Sequence, residues 1–364
     1  MRVALLTSAN GWRGSGVSYA KIAQGLIDRG HEVQLVTSVP RLTQRLARLG
    51  LPVTELPGRD TGAREVLALL ALLRRAATQA VLVDTPRDVR LAAYATLGRR
   101  ARIVYRYNLN YRRPRTDLMD RVYLSRVAAL IYQSRWIREE ALTFSPRLAR
   151  KPAFRIANGY DTAVFAPRPE AGARFRAAHG VPREAFVVLT LAKLARHKGQ
   201  EVAMAALDQV RRDGVPVTYV ACGDGAREGE LRAFAASLAL PTVFTGLLEP
   251  DGVIGALAAA DLVVHPSLRE IFPNAVGEAM ACACPVVAVD GGGTGELLGR
   301  DGAAGLLVPP EDPDAMALAI AGLIERPERR AAMGLAARRR IETKFPLARM
   351  IDGYERALGE AIGR

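Results

Sequence analysis

The stretch HPSLREIFPNAVGEAMACACPVVAVDGGGTGEL, running from His265 to Leu297, decides how this chain is read. It parses as strand, polar loop, helix, strand and glycine turn. Asp261 to His265 is a short apolar run, broken by Pro266 and Ser267. A helix is expected from about Pro273 to Met280, with the proline suited to the first helical turn. Pro285 to Val289 reads as the next buried strand, closed by Gly291, Gly292 and Gly293. Two carboxylates bracket the loop-to-helix junction: Glu270 before it and Glu278 two turns into the helix, with seven residues between them. A helix N-terminus at a strand's carboxyl end collects anions, because its first N–H groups have no partner in the helix. A carboxylate there repels phosphate unless it is aimed at hydroxyls. Two acids flanking one anion site therefore point to a ligand both phosphorylated and rich in hydroxyls, such as a nucleotide sugar. The spacing alone also suits two surface glutamates; the flanking sequence makes it specific.

The chain has 364 residues, nearly half of them apolar. That is too long for one ordinary core and suits two domains of roughly 150–200 residues. No segment reaches the roughly 20 uncharged apolar residues of a membrane span. Met1 to Thr7 reads as a first strand rather than a signal peptide. Cys222, Cys282 and Cys284 have no zinc-like spacing and form no even disulfide set, so small core residues in a reducing cytoplasm are expected. The net charge of +14 is uneven: residues 1–168 hold 29 Lys and Arg against 12 Asp and Glu, the remainder 22 against 25. Such an N-terminal field attracts anionic membranes, anionic substrates or nucleic acid. A coding bias toward arginine is the competing explanation.

The first half alternates apolar strands and helices: strands at Val3–Thr7, Glu32–Thr37, Val53–Leu56, Ala80–Val83, Arg102–Tyr107 and Leu130–Tyr132. A helix is expected from about Val17 to Arg29, and another from Thr116 to Ala128. The pattern pauses between Ala153 and Asp161, and the proline-bearing stretch Phe165 to Pro169 reads as a linker. A second series starts at Phe186 and repeats at Val217–Cys222, Thr242–Thr245, Leu262–His265, Val286–Val289 and Gly305–Val308. Such βα repetition makes parallel sheets covered on both faces, which bind ligands at the carboxyl ends of their strands. The expected fold class is α/β, with two doubly wound Rossmann-like domains facing across a cleft.

Glu270-Ile-Phe-Pro-Asn-Ala-Val-Gly-Glu278, followed by Ala279-Met280, resembles the donor site of the retaining family 4 glycosyltransferases, which have the GT-B fold. Leu191-Ala-Lys-Leu-Ala-Arg-His-Lys-Gly199 matches that family's G-R-L-x-x-x-K-G motif, and Ile156-Ala-Asn-Gly-Tyr-Asp161 resembles its I-P-N-G-V-D segment. The resemblance implies an acceptor-side domain over 1–160, a nucleotide-sugar donor domain over 161–345, and a helix over 346–364 returning to the first. It implies that Lys193 and Lys198 hold the donor diphosphate, whose charge grows as the glycosidic bond breaks. Glu278 would bind the ribose hydroxyls, and Glu270 would lie near the donor sugar and its anomeric centre. Amides of Ile271, Phe272, Pro273 and Asn274 would face the diphosphate. Ala192 and Lys193 replace the family's glycine and arginine, and Ile271 its usual glycine. Lysine keeps the charge but loses the guanidinium fork.

Gly11, Gly14 and Gly16 lie between the first strand and helix, where glycines admit a phosphate or sugar to the backbone. Their spacing is G-x-x-G-x-G and the second strand ends without an acid, which disfavours a nicotinamide cofactor. A structural tight turn is the other reading. On the acceptor side, Asn108 or Asn110 could hydrogen-bond a sugar, Arg112, Arg113 and Arg115 could meet a phosphate, and Asp84, Arg87 and Asp88 at another strand end could line the same cleft. A solvated basic loop is equally compatible. The four histidines form no metal-ligand spacing. The resulting expectation is retaining, metal-independent transfer from a nucleoside-diphosphate sugar to a glycan, lipid-linked or small-molecule hydroxyl. Location is expected in the cytoplasm, with peripheral contact to anionic membrane as an option, and no nucleic acid partner. The alternatives are a nucleotide-sugar epimerase, a basic binding protein, and a degenerate transferase that helps an active partner.

Overall fold

A computed structural model describes residues 1–8, 14–58, 60–108 and 118–363. The described chain divides into two compact units, one of Met1–Gly159 with Leu347–Arg364 and one of Tyr160–Pro346. The first is built on seven strands: β1 (Arg2–Thr7), β2 (Glu32–Thr37), β3 (Val53–Glu55), β4 (Ala80–Val83), β5 (Arg102–Arg106), β6 (Val127–Tyr132) and β7 (Ala153–Arg155). They pair in the order β3-β2-β1-β4-β5-β6-β7, all parallel. The second has β8 (Phe186–Leu191), β9 (Val217–Cys222), β10 (Thr242–Gly246), β11 (Leu262–His265), β12 (Val286–Val289) and β13 (Leu306–Val308), in the order β10-β9-β8-β11-β12-β13, again all parallel. β4, β9, β11 and β12 are buried along their length, as their mostly apolar sequences require when both faces are covered.

In each sheet the strand order reverses once, between β1 and β4 and between β8 and β11. Helices leave such neighbouring strands to opposite faces, which opens a crevice at their carboxyl ends. This fixes where function can sit: on the loops after β1 and β4 in the first unit, and after β8 and β11 in the second.

Several expectations need correction. The stretch read as a pause contains β7, an edge strand paired with β6 from Leu130↔Ala153 to Tyr132↔Arg155. Val127 and Ala128 belong to β6 rather than to the preceding helix, which runs Leu118–Ser125. The linker stretch ends in a helix, Pro169–Ala178, whose Gly172 lies so close to the backbone at Ala258 that a Cβ would come within 2.3 Å of its carbonyl. Two helices close the chain, Pro327–Lys344 and Leu347–Gly363, with Pro346 between them. The last buries Met350, Ile351, Tyr354, Ala357, Leu358 and Ala361, one stripe at helical spacing, in the core of the first unit. Among the described residues no helix is long and apolar enough to cross a membrane. The helix Ala63–Arg75, apolar with basic ends, buries Leu69 and Leu73 and leaves Leu67 exposed.

Candidate functional site

The switch point of the second unit is assembled from loops that approach each other backbone to backbone. Gly199 follows β8 at φ +65°, and a Cβ there would meet the Pro266 carbonyl at 2.3 Å. Leu268 N donates to His197 O across the same gap. Gly223 and Gly225 pass equally close to the carbonyls of Ala192 and Leu194, at 2.1 Å from a built Cβ. After β12, Gly292 at φ +69° lies against the Glu270 carbonyl, which accepts from Gly293 N at 2.7 Å. Left-handed backbone and contacts this close exclude side chains, so glycines at 199 and 292 are what place Lys198 and Glu270.

Lys198 ends a single helical turn, Arg196–Lys198, and its ammonium is hydrogen-bonded to Glu270 Oε1. Ser267 Oγ donates to the same oxygen at 2.9 Å, and His265 Nε2 lies 3.4 Å from it. Burial alone would raise the Glu270 pKa, but His265 and the charge of Lys198 outweigh it and hold the carboxyl well below the usual range. Glu270 is therefore an anion at any physiological pH. Its side chain and that of Lys198 are each 18% exposed.

The helix Asn274–Ala281 starts one residue later than expected: Pro273, at ψ 113°, is its N-cap. Having no N–H, Pro273 leaves the amides of Ile271, Phe272 and Asn274 as the donors of this junction. Phe272 is buried edge-on against Phe345, with ring centroids 5.4 Å apart, so its side chain belongs to the core. Tyr160 donates to Pro273 O at 3.3 Å and its ring lies where a Cβ on Gly277 would be, 1.9 Å away. That wedge fixes the rotation of the helix and thus of Glu278, which is half-buried on its second turn. Burial, aided by the Glu278 charge, pushes the Tyr160 hydroxyl well above its ordinary pKa. Lys193 is exposed, and its carbonyl accepts from Gln200 Nε2 at 2.9 Å; no ion pair joins Lys193 to either glutamate among the described residues.

In the first unit, Asp84 follows β4 and is fully buried. Burial and the nearby Asp88 push its pKa up to about 7, against the pull of Arg106 and the hydroxyls of Ser15 and Thr7. Neither of its oxygens has a partner of full hydrogen-bond geometry among the described residues. Asp88 differs: its Oδ2 accepts from Thr85 Oγ1 at 2.6 Å, Ser8 N at 2.9 Å and Ser8 Oγ at 3.1 Å, tying β1 to the helix Pro86–Ala95. Arg87 donates to the carbonyls of Gly58 and Asp60 and to Asp88 Oδ1 at 3.2 Å. Arg106, at the end of β5, is buried and donates from Nε to Tyr354 Oη at 3.0 Å, with Nη2 3.4 Å from Asn158 Oδ1. Asn108 Nδ2 donates to Ser15 Oγ at 3.1 Å. Gly14 and Gly16 are not in a loop: the helix Gly14–Ile27 begins with them, and the Gly14 carbonyl accepts from Ser18 Oγ at 2.8 Å. Asn110, Arg112, Gly11, Arg113 and Arg115 lie outside the described residues.

Two family models divide the chain between them. Residues 12–164 match "Glycosyltransferase Family 4" and residues 173–340 match "Glycosyl transferases group 1". The chain belongs to glycosyltransferase family 4. Similar curated proteins include a GDP-mannose-dependent alpha-(1-6)-phosphatidylinositol monomannoside mannosyltransferase of Mycolicibacterium smegmatis, 34% identical over 57% of this chain and 56% of that one. A D-inositol 3-phosphate glycosyltransferase of Acidothermus cellulolyticus is 34% identical over 46% of this chain and 39% of that one. The chain spans about half the length of the curated relatives it matches. Among solved structures, Anabaena HepE in complex with UDP-glucose matches at a TM-score of 0.86 with 23% identity, over 98% of this chain and 99% of that one. The fold of this family 4 chain is GT-B, with parallel sheets of seven and six strands.

Sequence reasoning placed Glu270 and Lys198 on separate motifs; the structure joins them. It missed His265 and Ser267. The signal was present in the His-Pro-Ser run that ends β11 and turns straight into the Glu270 loop.

Proposed function

We propose that this chain transfers a sugar from a nucleoside-diphosphate sugar to a hydroxyl acceptor, with retention of anomeric configuration and without a metal. The observation that carries the proposal is the Lys198–Glu270 pair at the β8/β11 switch point, beside the N-terminus of the helix Asn274–Ala281. One cation and the amides of a helix start would neutralise the diphosphate as the glycosidic bond breaks, the part a divalent ion would otherwise play. Glu270, an anion held at a fixed place, would order the sugar hydroxyls, and Glu278 the ribose. In the front-face route the departing phosphate oxygen takes the acceptor proton, so no protein base is required. Asp84 and Asn108, at strand ends of the first unit, are assigned to the acceptor. The basic N-terminal half suits an anionic acceptor or an anionic membrane surface. Relatives named for GDP-mannose and inositol phosphates make a GDP-sugar and a phosphorylated polyol the first pair to try, with UDP-glucose, the ligand named for HepE, as the second donor.

The test is product analysis in EDTA with α-linked nucleoside-diphosphate sugars. The proposal predicts release of one nucleoside diphosphate per α-linked glycoside, read from the anomeric proton. A β-linked product would contradict retention. Conversion of the sugar without transfer would favour an epimerase, and no turnover with any donor a degenerate relative.

A further inference from the structure

Glu270 Oε1 faces three donors: Lys198 Nζ, Ser267 Oγ at 2.9 Å and His265 Nε2 at 3.4 Å. One carboxylate oxygen offers about two lone pairs, so three donors oversubscribe it, and the most distant is His265. That histidine closes β11, paired with Ala288 of β12, and is 3% exposed. Its Nε2 has no hydrogen bond among the described residues. A buried ring nitrogen kept without a partner is costly, and this one stands a few tenths of an ångström short of a good bond. The donor reading meanwhile makes a demand on Lys198. Its ammonium has three N–H donors, but a phosphate that draws it out of line with Glu270 Oε1 would strip the carboxylate of a donor.

We propose that His265 is a positioning residue that takes the place of Lys198 on Glu270 Oε1 when Lys198 turns to the donor's phosphate. The inference rests on the donor-site reading above. The exchange keeps two donors on Oε1, Lys198 and Ser267 without ligand, His265 and Ser267 with it. The neutral imidazole suffices if its hydrogen is on Nε2.

Affinity for the nucleoside diphosphate that binds the wild-type protein tightest, chosen among GDP, UDP, ADP and dTDP, tests this by a double-mutant cycle. His265→Ala is expected to weaken binding about tenfold, the scale of one hydrogen bond to a charged group. His265→Gln, which keeps an N–H near the same place, should bind within about threefold of wild type. In a Lys198→Ala background, where nothing is exchanged, His265→Ala should change affinity less than about twofold. Equal losses in both backgrounds, or unchanged affinity with a lowered melting temperature alone, would overturn the exchange and leave His265 a packing residue. His265→Phe, which fills the volume without the donor, keeps the cycle decisive should the alanine variant not fold. A wild-type protein that binds none of the four diphosphates would instead remove the donor reading itself.

Discussion

Replacing Lys198 with alanine is expected to lower kcat/KM for sugar transfer by about 10²–10³, the usual cost of removing one fixed group that stabilises transition-state charge. The ammonium is 18% exposed, so its attraction for a neighbouring phosphate is screened less than that of a solvated lysine. Its partner charge in the resting protein is Glu270, and its proposed partner in the reaction is the leaving diphosphate. Most of the loss should appear in kcat, because the leaving group's charge is greatest in the transition state. Lys198→Arg should recover only part of it: guanidinium keeps the charge but spreads it over a longer planar fork that does not place a point charge where the ammonium sits. Steady-state kinetics of the two variants on one donor and acceptor check this. A fall confined to KM would mean that Lys198 binds substrate and transition state equally.

Arg106→Leu is expected to destabilise the first unit by about 3–5 kcal/mol at pH 8, the range for breaking a buried charge pairing from one side. Arg106 is the buried cation that opposes the raised pKa of Asp84, and it donates to Tyr354 of the last helix. The pH dependence follows from Asp84. Its pKa is about 7 in the folded chain and near 4 in an unfolded one. Between those values the folded chain binds the extra proton, so stability falls as pH rises through that window and the full penalty stands above it. Without Arg106 the folded pKa rises further, so the decline extends to higher pH. Urea melts at pH 5 and pH 8 should therefore show a larger Arg106→Leu deficit at the higher pH. Adding Asp84→Asn should erase most of that difference. A deficit independent of pH would mean that Arg106 acts through packing and its bond to Tyr354 alone.

The two sheets were legible because most of their strands are short, mainly apolar runs separated by helical periods, the pattern of strands covered on both faces. β7 was missed because Ala153-Phe154-Arg155 carries one large apolar side chain between two exposed positions at a sheet edge. Helix starts erred where a glycine or proline stood at the boundary: Gly14 and Gly16 opened a helix, and Pro273 capped one from outside it. In the site, the two glutamates and Lys198 could be named from motifs, since each lies on a local pattern. The pairing of Lys198 with Glu270 spans 72 residues and depends on glycine contacts between loops, which no local spacing reveals. His265 was invisible for the same reason, being identifiable as a partner only once β11 and its loop were placed. Tyr160 and Gly277, 117 residues apart, fit each other by shape, and shape is not written in either residue alone.

The most direct test of the donor site is titration of the purified chain with GDP, UDP, ADP and dTDP in EDTA, followed by thermal shift, for wild type and Glu278→Ala. The account predicts a selective stabilisation by one diphosphate, roughly 2.7 kcal/mol at 100 times its dissociation constant. It also predicts loss of most of that shift in Glu278→Ala, with the melting temperature of the free protein little changed. Equal shifts in the two proteins, or none in either, would contradict a nucleotide held at the start of the helix Asn274–Ala281.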